Sequence, residues 1–278
     1  MRSDQATQYR DHLIDINTLA QADLLKIVRL AERHPDVSIQ VLMEMYPEVL
    51  SGYVGASEDL GRVMLVDHAP GITPVAGTSM PTDEQIRNSI LWAATSDGDT
   101  YTLLGGAMQR SIFNGARWLV QDSIDLAEPG TTTTTWARHA SATACGFCRM
   151  LATRGDVYQS KAAATTVVGR GKEMTDLERI WRGGKSGPVQ ELGTARFIAG
   201  GVKARGTRSL GSSYHDHCRC IAVPSTTSDP YVPPAYVADW MTEYDLLAKE
   251  ADREGLRGNK KTNYITHRLE QIGEQHRH

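Results

Sequence analysis

The chain has 278 residues, 40% of them hydrophobic but only 6% aromatic, and a formal net charge of −3. That is enough to bury a core of Leu, Val, Ile, Ala and Met, which favours helices packed on helices. Near-neutral charge excludes a uniformly basic polyanion binder, and the absence of any run of about 20 apolar residues argues against a membrane span.

The first 130 residues read as helical. Ile14, Leu19, Leu24, Leu25, Val28 and Leu30 recur at helical spacing, predicting a helix from about Ala6 to Arg33. Pro35 sits where a new helix begins. A second helix is predicted over Asp36–Glu58, with Val41, Leu42, Met45, Val49 and Leu50 on one side and an interruption at Pro47 that would kink it. The breaker-rich APGITPVAGTSMP (Ala69–Pro81) is a connection. Thr82 followed by Asp83, Glu84 and Gln85 makes a good helix start, and this helix stops near Asp97-Gly98. Another spans about Thr100–Leu126, and Pro129-Gly130 ends it.

The character then changes. The β-branched run TTTTTWARHA (Thr131–Ala140) predicts a strand. Residues 155–213 are rich in Gly, Ala, Thr and basic side chains, with a helical island at Thr175–Trp181. Between Lys161 and Ser213 stand ten Lys/Arg against four acids, a local balance of +6. This is either a solvated segment or one that lies near phosphate or an acidic partner. Ile221–Pro224 reads as a short strand. DPYVPPAY is a Pro-rich linker, a helix follows at about Ala235–Glu254, and the end is a polar tail of the kind that orders on a partner. Trp240, Tyr244 and Leu247 form a stripe that must be buried somewhere. Met150, Leu151 and Trp181 read as core.

The four cysteines are paired, as Cys145-x-x-Cys148 and Cys218-x-Cys220, and histidines crowd the second pair in Tyr214-His215-Asp216-His217-Cys218-Arg219-Cys220. The start of the chain has no apolar leader-like stretch, so a reducing compartment is expected and disulfides are not. A C-x-x-C turn brings two sulfurs to one ion, and alternate residues of an extended segment face one side. The spacing therefore predicts a structural zinc site from Cys145, Cys148, His215, Cys218 and Cys220, with His217 a further candidate and the choice of four open. The competing reading is a set of reduced thiols that end strands. A metal here would join positions more than seventy residues apart, and its binding would become folding free energy.

These residues resemble a known family. W-A-R-H-A, C-G-F-C-R-M-L-A-T-R-G-D-V-Y and, after a basic insert, G-S-S-Y-H-D-H-C-R-C-I-A-V-P are similar to the MuF-like phage head morphogenesis domain. The likeness is to the minor capsid proteins of tailed phages that infect actinobacteria. His215, Cys218, Cys220 and Pro224 carry its most specific part, and it covers about Trp136–Pro224. The resemblance implies a structural protein of the capsid interior, made in the host cytoplasm. It would associate with the portal protein or the inner shell (major capsid or scaffolding protein) and aid assembly, DNA packaging or ejection. Packaged DNA would meet the basic segment, for which Arg170, Lys172, Lys203, Arg205 and Arg208 are the candidate contacts.

Enzyme readings are weaker. Cys145 or Cys148 with His139 could form a thiol protease pair, but a nucleophile seldom comes with three further cysteines. No G-x-S-x-G supports a serine protease. His215, Asp216 and His217 could serve a metal-dependent nuclease, yet the acids are spread over the helices rather than clustered. Some relatives are described as capsid maturation proteases, which keeps that activity as the alternative. The expectation is a non-enzymatic, mainly helical α+β protein. It divides into a helical region at 1–130, a mixed domain with the Cys/His cluster and basic insert at 131–228, and a linker with a C-terminal helix and tail at 229–278.

Overall fold

A computed structural model describes residues 1–69, 71–75, 80–127, 134–157, 219–226 and 229–275. All belong to one compact unit, Met1–Gln159 together with Asp216–His278. The fold is mainly helical α+β. Four long helices come first: α1 (Ser3–Arg33), α2 (Ser38–His68), α3 (Asp83–Thr95) and α4 (Thr100–Asp125). A 3-10 turn at Pro35–Val37 joins α1 to α2.

The helix starts follow local chemistry. The Thr82 hydroxyl accepts the Gln85 N–H and the Gln85 side chain accepts the Thr82 N–H, which closes a capping box on α3. Asp99 caps α4 through the Thr102 N–H at 2.7 Å. α2 passes through Pro47 and runs ten residues beyond the expected Glu58. Met64 and Leu65 are buried near its end, so packing rather than local propensity extends it.

The core of this bundle joins Leu24, Ile27 and Val28 of α1, Leu42, Tyr46 and Leu50 of α2, Ile86 and Ile90 of α3, and Leu104, Met108 and Ile112 of α4. Helix α4 is buried over much of its circumference. Gly115 lets it approach α2, since a Cβ there would overlap the Ser57 hydroxyl and stand 3.1 Å from the Val54 carbonyl oxygen.

A two-stranded antiparallel sheet comes next. β1 (Thr134–His139) pairs with β2 (Ile221–Thr226), in register from Thr134↔Thr226 to His139↔Ile221. Pro224, which has no N–H to give, stands opposite Trp136 in this register. Between the strands lies α5 (Gly146–Ala152); after them come α6 (Tyr236–Arg253) and α7 (Gly258–Gln275). Helix α5 packs against β1, α6 and α7.

Two segments differ from expectation. The Pro-rich stretch before α6 is anchored: Tyr231 is buried and its N–H donates to the Ser225 hydroxyl at 2.9 Å, while the Asp229 carboxylate takes the Met1 amine at 2.8 Å. The polar tail contains helix α7, held by Ile265 and Leu269, which are both buried. Trp240 and Leu247 of the predicted stripe are buried and Tyr244 is half-buried; Met150 and Leu151 are core. The island expected at Thr175–Trp181 lies outside the described residues.

Candidate functional site

The motif segments converge on the layer formed by β1, β2 and α5. Both faces of β1 are covered: Trp136, Ala137, Arg138 and His139 are all buried. Arg138 has no exposed surface, and its Nη2 donates to the Cys148 sulfur at 3.4 Å. Cys148 lies in α5 and is buried; Cys145 is the residue that caps α5 and is half-buried. Cys220 is buried directly before β2, and its carbonyl accepts from the buried Arg117 of α4. The Arg117 guanidinium also lies 5.0 Å from the centre of the Phe113 ring.

A third arginine fixes the approach to Cys145. Arg149 Nε donates to the Ala144 carbonyl at 2.9 Å and Nη2 to the Ala142 carbonyl at 3.2 Å. Its guanidinium lies 5.0 Å from the centre of the Trp240 ring. Gly146 explains the glycine of C-G-F-C. A Cβ there would overlap the Thr266 carbonyl oxygen and come within 2.6 Å of the Glu270 nitrogen, so α5 and α7 touch backbone to backbone. The Glu270 carboxylate accepts the Gly146 N–H.

His139 is fully buried between hydroxyls. Its Nε2 meets Thr7 Oγ1 at 3.2 Å and its Nδ1 meets Tyr231 Oη at 3.0 Å. Burial first, then the Arg10 guanidinium, lowers its pKa to about 4, so the ring is neutral near pH 7. Burial likewise pushes the Tyr231 and Tyr236 hydroxyls up. Tyr236 donates to the Ala140 carbonyl at 2.6 Å. With Thr7 and Arg10 supplied by α1, this network ties the N-terminal bundle to the sheet.

Of the expected metal ligands, Cys145, Cys148 and Cys220 are brought to one layer, while His215 and Cys218 lie outside the described residues, as does His217. Among the described residues no three His, Cys, Asp or Glu side chains are grouped so as to hold a metal ion. The three described cysteines therefore do not make a site by themselves. Arg170, Lys172, Lys203, Arg205 and Arg208 also lie outside the described residues.

The sequence patterns contain Arg138 and Arg149 (in W-A-R-H-A and C-G-F-C-R-M) and Tyr231 (in DPYVPPAY) without giving them a role, and Arg117 stands in no motif. The available signal was position: Arg138 lies in a β-branched strand and Arg149 directly follows the first cysteine pair.

A family model described as VG15 protein matches residues 1–176. The chain belongs to the VG15 protein family. It is therefore a phage protein. The match runs through the helical bundle, β1 and α5, and so takes in Arg117, Arg138, Cys145, Cys148 and Arg149. No curated protein and no solved structure matches the chain. Among the described residues no helix is long and apolar enough to cross a membrane.

Proposed function

We propose that this VG15 family member is a minor head protein of the MuF-like kind, with a structural role. It would associate with the portal or the inner shell of the capsid and aid head assembly, DNA packaging or ejection. Membership of a phage family supports the setting. The observation that carries the structural role is how the motif residues are used. Both His139 ring nitrogens are taken by hydroxyls, the Cys148 sulfur faces Arg138 and the Arg117 guanidinium holds a main-chain carbonyl. A thiol protease needs an imidazole beside the sulfur, and His139 is engaged elsewhere.

In this reading the cysteines serve folding. Four of Cys145, Cys148, His215, His217, Cys218 and Cys220 would hold a structural zinc ion that closes the base of the 140–220 excursion. When bound, the ion would supply cross-linking rather than a reacting centre. The basic residues Arg170, Lys172, Lys203, Arg205 and Arg208 would face packaged DNA by charge alone.

The test is a tagged pull-down from phage-producing cells, read by mass spectrometry, with purified virions analysed beside it. Recovery of portal or major capsid protein, with the chain present in virions at low copy, is the expected result. Absence from virions, with uncut capsid precursors accumulating when the gene is deleted, would replace the structural reading with the protease one.

A further inference from the structure

Helices α1 and α2 each expose one long stripe, and each stripe matches itself when read backwards. On α1 the exposed positions at helical spacing are Asp4, Asp11 and Asp15 in the first half and Lys26, Arg29 and Arg33 in the second. Leu19, 61% exposed, stands near the middle. The helix macrodipole accounts for Asp4 and Arg33 in the terminal turns. Its effect is spent within a turn, so it leaves Asp11, Asp15, Lys26 and Arg29 unexplained. The charges reverse about a point between Thr18 and Leu19: Asp4 is as far from it as Arg33, and Asp11 as far as Lys26.

On α2 the stripe is apolar. Met45, Gly52, Ala56 and Val63 are exposed and share one side of the helix. Met45 and Val63 stand equally far from Val54, as do Gly52 and Ala56. A glycine in a helix interior costs up to about 1 kcal/mol against alanine, and open space lies beyond Gly52. Such a residue is of use where another backbone comes close.

The two centres come level. Helices α1 and α2 pack against each other on either side of a short turn, and Tyr53 of α2 donates to Asp23 of α1 at 2.7 Å. Counted from that turn, Leu19 and Val54 lie within one helical turn of the same height. One two-fold axis, perpendicular to both helices at that height, therefore serves both stripes. It lays α1 on the partner's α1 and α2 on the partner's α2, each pair antiparallel. Asp4 then meets the partner's Arg33 and Asp11 the partner's Lys26, while Met45 meets the partner's Val63 across Gly52 and Ala56. Glu48 comes beside the partner's Asp59–Arg62 ion pair, whose guanidinium offsets the like charge. The face is also large enough. Each helix has 31 residues, which is about 46 Å of length and about 10 Å of width. Two side by side present about 900 Å², against the roughly 800 Å² per partner of a standard interface.

We infer that the outer face of α1 and α2 is a self-complementary interface whose partner is a second copy of this chain, whether or not the capsid reading holds. The apolar α2 stripe supplies the contact area and the α1 charges set the antiparallel register.

The experiment is sedimentation velocity of the purified full chain at concentrations up to about 100 μM. Wild type should show a species of twice the 30.5 kDa chain mass, which weakens as salt rises. Leu19→Glu, at an exposed position, should weaken the dimer and leave the helical melt of the chain unchanged. Arg29→Glu with Arg33→Glu sets acid opposite Asp4 and Gln8, and Asp4→Lys with Gln8→Lys sets base opposite Arg33 and Arg29. Each double variant alone should dimerise about 10-fold or more weakly than wild type. Mixed together, the two should form a mixed dimer of about wild-type strength, because every charged pair is then of opposite sign. A variant that does not fold cannot give that rescue. Wild type that stays monomeric at every concentration overturns the inference and leaves the face to another protein. A dimer that Leu19→Glu and both double variants leave within twofold of wild type is held by another surface, which overturns it as well.

Discussion

Replacing Gly146 by Ala separates local propensity from tertiary packing, because the two predict opposite signs. In an isolated helix the change stabilises by up to about 1 kcal/mol. In this fold the added methyl overlaps the Thr266 carbonyl oxygen and stands 2.6 Å from the Glu270 nitrogen. A comfortable carbon contact is about 3.5 Å, so α7 must retreat by about 1 Å. Both clashing atoms are backbone, and no rotamer change relieves them. A retreat that keeps α7 docked costs about 1–3 kcal/mol, as overpacking does. Full release exposes Ile265 and Leu269, at about 1.5–3 kcal/mol each. Gly146→Ala is therefore expected to destabilise by about 2–5 kcal/mol in urea denaturation. It should also accelerate amide exchange across Gly258–Gln275 before it does so in α1–α4. A variant as stable as wild type, or more so, with unchanged exchange in α7, would refute the contact.

Three more outcomes follow from the same frame. His139 has a folded pKa of about 4 against an ordinary 6.5, so its contribution is complete above pH 6.5 and is lost as pH falls towards 4. The loss by pH 4 is about 3 kcal/mol, and urea melts of His139→Gln should lack that component; parallel pH profiles would count against it. Arg149→Met leaves the Ala142 and Ala144 carbonyls without their donor and removes the contact with Trp240. A loss of about 2–4 kcal/mol is expected, only partly recovered by Lys; a loss under about 1 kcal/mol would mean that water replaces the guanidinium. Gly115→Ala drives a methyl into Ser57 and against the Val54 carbonyl, and should cost about 1–3 kcal/mol. Pairing it with Ser57→Gly should recover stability in a double-mutant cycle if the clash is local, and additive losses would refute that.

The helices that read well from sequence are those whose signals are local. Thr82, Asp83, Glu84 and Gln85 announce α3, and the apolar spacing within α1 and α4 suffices to find them. Helix α7 was not legible because it buries few large apolar residues and owes part of its seat to the missing side chain of Gly146, a residue on another helix. The end of α2 was not legible for the same kind of reason. In the candidate site, the cysteine spacing points to the segments that form β1, α5 and β2. It could not reveal that Arg117, Arg138 and Arg149 are turned inward, since side-chain burial is settled by partners far along the chain. His139 was read as a conceivable base; its actual partners, Thr7 and Tyr231, are 132 and 92 residues away.

The pairing of β1 with β2, and the docking of α6 and α7 beyond it, also set a timetable for synthesis. Arg138 and His139 leave the ribosome early, yet Tyr231, Trp240 and Leu269, which cover this layer, follow much later. At bacterial translation rates the stretch from His139 to Gln275 takes roughly 7 to 30 seconds to make. For most of that interval β1 lacks its partner strand β2, and for nearly all of it α5 lacks α7. Until α6 and α7 arrive, the nascent chain carries Arg138 and His139 without the helices that complete their layer.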